Sequence, residues 1–110
     1  MRRPHTFSRQ TLDAARVLGL EVAQARREHH WTAAGLAERA GISLVTLRKV
    51  ERGDPTVALG TAFEVATLLG VSLFGADRNE LSNYARRARE RLALLPARVR
   101  EPARAVDDAF

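Results

Sequence analysis

Apolar residues recur along most of this chain at the spacing of an α-helix. Leu12, Ala15, Leu18, Val22 and Ala25 follow one another at intervals of three or four, with Arg16, Glu21, Arg27 and Glu28 on other faces. That pattern predicts a first amphipathic helix, with Thr11 as its N-cap and an end near His29. Thr32 suits the N-cap of a second helix, AAGLAERA, which breaks at Gly41. Ser43 opens a third, LVTLRKVE, stopped by Gly53-Asp54-Pro55. A fourth covers about Leu59 to Leu69 and stops at Gly70. Asp77 and Glu80 have the spacing of a capping box at the head of a fifth, which is expected to reach Leu95, just before Pro96. Leu81, Tyr84, Ala88, Leu92 and Leu95 line one face of it.

The remaining segments are weakly patterned. Residues 1–10 are polar, contain a proline and read as a loose arm. VSLFG at 71–75 fits a turn, a short strand or a loop. Residues 96–110 contain Pro96 and Pro102 and read as an extended tail. The expected fold is therefore all-α, with five helices. It divides into the arm (1–10), a compact domain (11–76), a C-terminal helix (77–95) and the tail (96–110).

Composition narrows the function. The chain has 18 basic side chains, of which only Lys49 is a lysine, against 13 acids, giving a net charge of +5. A basic domain of this size suits an anionic partner, nucleic acid ahead of a membrane surface. With no cysteine there is neither a disulfide nor a thiolate metal site, and His5, His29 and His30 are not spaced as a ligand set. No apolar run approaches the ~18 residues of a membrane span, and MRRPHTFSRQ has no apolar stretch behind its charges. A cytoplasmic protein is expected. No glycine-rich phosphate loop or nucleophile–base set is present, so an enzyme is disfavoured and no cofactor is expected.

The most informative segment runs from Thr32 to Gly53. Two short helices joined by a tight turn must cross steeply. They need a small residue where they touch and a left-handed residue in the turn. Ala37 meets the first need and Gly41 the second, because glycine reaches positive φ without steric cost. Leu36, Ala40, Ile42, Leu47 and Val50 then fall on the inner face.

Here the phrase LAERAGISLVTLRKVERG resembles the XRE family of Cro- and phage-repressor-like regulators, a likeness covering about Leu18 to Leu73. The resemblance implies a DNA-binding helix-turn-helix domain. It also implies a buried ion pair between Arg26 and Glu51 that locks the first and third helices together. Two positions depart from the family's usual wording. Ala33 stands where a phosphate-holding Gln is common, and His30 where Gly often follows the first helix.

In this docking mode the third helix enters the major groove and its first residues meet base edges. Ser43, Leu44, Val45, Arg48 and Lys49 are the expected base contacts. Leu44 and Val45 suit thymine methyls; Arg48 suits guanine O6 and N7, and Lys49 suits either a base or a phosphate. Phosphate contacts are expected from Thr32, Thr46, Arg52 and Thr56, the last near the start of the fourth helix. Arg39 is either a further phosphate contact or a solvated surface charge. One domain of this size covers few base pairs, so family members usually bind a palindromic operator as homodimers.

Arg86, Arg87, Arg89 and Arg91 crowd the fifth helix, whose apolar stripe serves either dimerisation or packing onto the core. The run PTVALGTAFEVATLLGVSLFGAD, with LLPARVR and the terminal DDAF, resembles HipB-like antitoxins, which repress their operon and hold a HipA-type kinase toxin. Phe110, after two acids, is expected either to dock a partner or to belong to an unstructured terminus. A stand-alone regulator and a protein-binding module without DNA activity are the other readings.

Overall fold

The structure is a computed structural model and describes residues 6–101. The chain divides into two compact units, Met1–Gly75 and Ala76–Phe110.

The first unit holds α1 (Arg9–Glu28), α2 (Ala33–Ala40), α3 (Leu44–Arg52) and α4 (Leu59–Leu68). α1 begins three residues before the expected start. Its N-cap is Ser8, whose hydroxyl accepts from the Thr11 backbone N–H, so Thr11 is the residue being capped. The apolar pattern begins only at Leu12, so the polar first turn gives no periodic signal. Residues 8–10 therefore belong to the helix start, and of the expected arm residues 1–5 lie outside the described residues.

α3 packs mainly on α1 and α2, and α4 on the same pair. Val22, Leu36, Leu47 and Val65 are fully buried at the centre, joined by Ala37, Val50, Ala66 and Leu69. Each large apolar side chain removed from water there contributes about 1.5–3 kcal/mol.

Two glycines set the α1–α3 distance. A Cβ on Gly19 would lie 2.5 Å from the Val50 carbonyl oxygen, and one on Gly53 would lie 2.6 Å from the Arg16 Cα. His30, after the end of α1, takes the left-handed region at φ 60°, which histidine enters more readily than most side chains. Within 71–75 the chain makes a turn at Phe74 and Gly75, with φ 56° and 67°. No strand occurs among the described residues.

The second unit contains α5 (Arg78–Ala93). Its capping box is complete: the Glu80 N–H donates to Asp77 Oδ1 at 2.8 Å, and the Asp77 N–H donates to Glu80 Oε1 at 2.9 Å. The helix stops at Ala93, two residues short of the expected Leu95. Leu95 precedes Pro96, whose ring disfavours helical backbone at the residue before it, and Leu94 becomes the C-cap. No side chain of α5 is buried. Local contacts support it instead: Arg86 donates to Asn83 Oδ1 at 3.2 Å, and the Arg87 guanidinium lies 5.2 Å from the Tyr84 ring centre. Residues 96–101 have no helix or strand.

Candidate nucleic-acid interface

α2 and α3 are joined by a three-residue turn in which each end is satisfied locally. Thr32 opens α2 by accepting from the Gly35 N–H at 2.9 Å. Gly41 closes it at φ 71°, ψ 30°. The Ile42 N–H then reaches back to the Ala37 carbonyl and the Gly41 N–H to that of Glu38, a left-handed cap that only glycine enters without strain. Ser43 restarts the chain by accepting from the Thr46 N–H at 3.0 Å. Ala37 is only 3% exposed, so the small residue expected at this crossing is enclosed there.

Burial of Leu47 and Val50 fixes the rotation of α3. Leu44, Val45, Arg48, Lys49 and Arg52 consequently share one exposed face. Val45 is 65% exposed and Leu44 36%. Among the described residues the one ion pair is Arg26–Glu51, which leaves Arg48, Lys49 and Arg52 able to meet an external anion.

Residues 22–75 match the helix-turn-helix family model. This segment is a helix-turn-helix domain. The match supports a DNA-binding transcriptional regulator of the XRE type. No curated protein and no solved structure matches the chain. No helix among the described residues is long and apolar enough to cross a membrane.

In the helix-turn-helix domain Arg26 and Glu51 meet as a two-pronged pair. Arg26 Nε donates to Glu51 Oε2 at 2.7 Å and Nη2 donates to Oε1 at 3.2 Å. Nη1 donates to the Trp31 carbonyl at 3.0 Å. One guanidinium thus ties α1, α3 and the turn before α2 together. The bond to Glu51 raises the Arg26 pKa against the opposing effect of desolvation, so the guanidinium keeps its charge.

The expected contact residues fall into two groups. Leu44, Val45, Arg48, Lys49 and Arg52 share the α3 face described above. The others are engaged in local structure. Ser43 caps α3, and its hydroxyl also bonds that of Thr46 at 3.0 Å; Thr46 is half-buried and off the exposed face. Thr32 caps α2. Thr56 lies in the connection before α4, which starts only at Leu59, and its N–H and hydroxyl both donate to Asp54 Oδ1, at 2.9 and 2.7 Å. Those two bonds lower the Asp54 pKa, helped by Lys49 and Arg52 nearby. Ala58, the N-cap of α4, offers no side-chain acceptor, so the first N–H groups of that helix lack a cap and suit an anion.

Helical spacing alone overlooks Trp31. The Arg39 guanidinium lies 4.1 Å from the centre of its ring, and the His29 ring lies 5.0 Å away at a tilt. Arg39 is therefore stacked on an aromatic rather than loosely solvated. The available signal is the position of Trp31, the only tryptophan, immediately before an N-cap, where an apolar residue fixes the entry of the chain into the helix. Gly19 is overlooked in the same way, although a lone glycine inside a helical pattern is itself a sign of close packing.

Proposed function

We propose that this protein is a homodimeric, sequence-specific repressor acting in the cytoplasm, and the antitoxin of a HipBA-like pair that autoregulates its operon. The reading rests on one observation above the others: the exposed α3 face that sets Arg48, Lys49 and Arg52 beside Leu44 and Val45 in a helix-turn-helix domain. Arginine and lysine there donate to guanine edges and phosphates, and the apolar pair fits thymine methyls. In this reading Arg52, Thr32 and the uncapped start of α4 hold the flanking backbone. Two domains related by a two-fold axis read half-sites about one helical turn apart.

The antitoxin part of the proposal is supported by the likeness of residues 55–77 and of the tail to HipB-like proteins. Phe110 beside Asp107 and Asp108 is the docking element for a HipA-type kinase; these three residues lie outside the described residues.

Selection from random duplexes with the full chain should recover a palindrome. The kinase-like product of a neighbouring gene should co-purify with the full chain and bind a chain lacking residues 97–110 more weakly. Selection of a palindrome without any toxin partner would leave a stand-alone regulator. Failure to enrich any duplex would overturn the DNA-binding reading and leave a protein-binding module.

A further inference from the structure

We propose that the apolar stripe of α5 from one copy seats in a groove on the helix-turn-helix unit of a second copy. The inference rests on the dimer reading above and names the surfaces that make it. A groove of about 480 Å³ opens on the first unit between α1, the connection after α3, α4 and the turn at 72–74. Its walls include Val17, Leu18, Leu59 and Phe63, and its only charged lining residues are Glu21 and Asp54. Val17 is 54% exposed, Leu59 69% and Phe74 73%. Apolar exposure concentrated in one concave site marks a surface meant to be covered.

Phe74 at the lip strengthens the case. Its backbone holds φ 56°, a left-handed conformation that is unfavourable for an aromatic residue. In that position its ring meets Phe63 edge-on at 6.0 Å while remaining open to solvent. Exposed aromatics at the edge of a pocket are common anchors of protein interfaces.

α5 supplies the complementary surface. Within α5, Leu81, Ala85, Ala88 and Leu92 alternate at intervals of four and three, the seam of a helix that packs lengthwise on a partner, with Tyr84 beside it and Leu95 just past the helix end. Leu92 is 67% exposed and Leu95 63%. The positions flanking the seam hold Ser82, Tyr84, Arg89 and Arg91, with no carboxylate among them. A twin α5 laid on this seam would therefore bring arginines and no countercharge. The groove brings Glu21 and Asp54 to the same arginines. Charge pairing of this kind selects the partner as well as the register. In a two-fold dimer the exchange is reciprocal, each copy giving one helix and one groove.

The absence of cysteine allows a direct test. Full chains carrying Val17→Cys or Leu92→Cys, both exposed positions, are tagged for size, mixed and joined with a short bismaleimide; light scattering gives the oligomeric state. The expected result is a dimer whose main product joins a Val17→Cys chain to a Leu92→Cys chain. Replacing Glu21 and Asp54 with Arg should weaken the dimer at least tenfold, and adding Arg89→Glu and Arg91→Glu should restore it. A dimer whose main product joins two Leu92→Cys chains would mean twin-helix pairing, overturning this inference while leaving the dimer intact. A dimer linked at neither pair would overturn it likewise. A link formed inside a single doubly substituted chain would make the occupant the chain's own helix, and would overturn it too. A monomer at every concentration would overturn both this inference and the dimer.

Discussion

Gly19→Ala should destabilise the domain although alanine is the better helix former. Gly19 is buried in the middle of α1, and the added methyl would lie 2.5 Å from the Val50 oxygen, 2.7 Å from the Glu51 oxygen and 3.0 Å from the Glu51 carbon. All three are backbone atoms of α3, so no side-chain rotation relieves the overlap. α3 must move away by several tenths of an ångström or more, disturbing Leu47, Val50 and the pairing of Glu51 with Arg26. Overpacking of this kind costs about 3 kcal/mol, the upper end of its usual range, against a helix-propensity gain of about 1. The net loss is about 2 kcal/mol, or roughly 8–16 °C in Tm for a domain of this size. Gly60→Ala is the control. It is also helical, but nothing lies within 4 Å of its added Cβ, so it should be neutral or stabilising by up to ~1 kcal/mol. Far-ultraviolet circular dichroism melts of both variants are the assay. If Gly19→Ala melts at or above wild type, the close approach of α1 and α3 is wrong.

Glu51→Ala should cost about 2–4 kcal/mol, between the values for exposed and buried pairs, because the two side chains are 13% and 16% exposed; melting with Arg26→Ala and the double variant isolates the coupling, and zero coupling would remove the pair from this account. Arg48→Ala should weaken operator binding by ~1–3 kcal/mol and relax preference at one base-pair position; a selection assay with unchanged preference everywhere would reassign Arg48 to phosphate. The Asp54 carboxyl titrates below its ordinary value of 3.8 when folded. Its contribution is thus present above the unfolded value and lost as pH falls through the lower, folded one. Acid melts of Asp54→Asn should lack that part of the pH dependence, and profiles identical to wild type would show that the Thr56 bonds do not matter.

The helix-turn-helix was legible because local chemistry and tertiary packing agree there. Thr32, Ala37, Gly41 and Ser43 each meet a stereochemical demand set within a few residues, and Leu47 with Val50 fixes which face of α3 is left open. The start of α1 was not legible, because Ser8 caps a polar turn that apolar spacing cannot reveal. Nor could spacing show that Ser43, Thr46 and Thr56 have their hydroxyls engaged by near neighbours. That depends on side-chain rotamers, as does the stacking of Arg39 on Trp31. The close approach of Gly19 to α3 is a long-range contact, which periodicity along one helix does not encode.

The central claim is that the exposed face of α3 carries the cations that bind duplex DNA. It is tested most directly by measuring affinity for a selected duplex against salt, for the full chain and for Arg48→Ala/Lys49→Ala/Arg52→Ala. Each phosphate neutralised contributes about −0.9 to the slope of log K against log salt. The account predicts a steep negative slope for the full chain and weaker binding by the triple variant. Its slope should be shallower by ~1 for each substituted side chain that meets a phosphate. Equal slopes and equal affinities for the two proteins, or no binding by the full chain to any duplex, would contradict it.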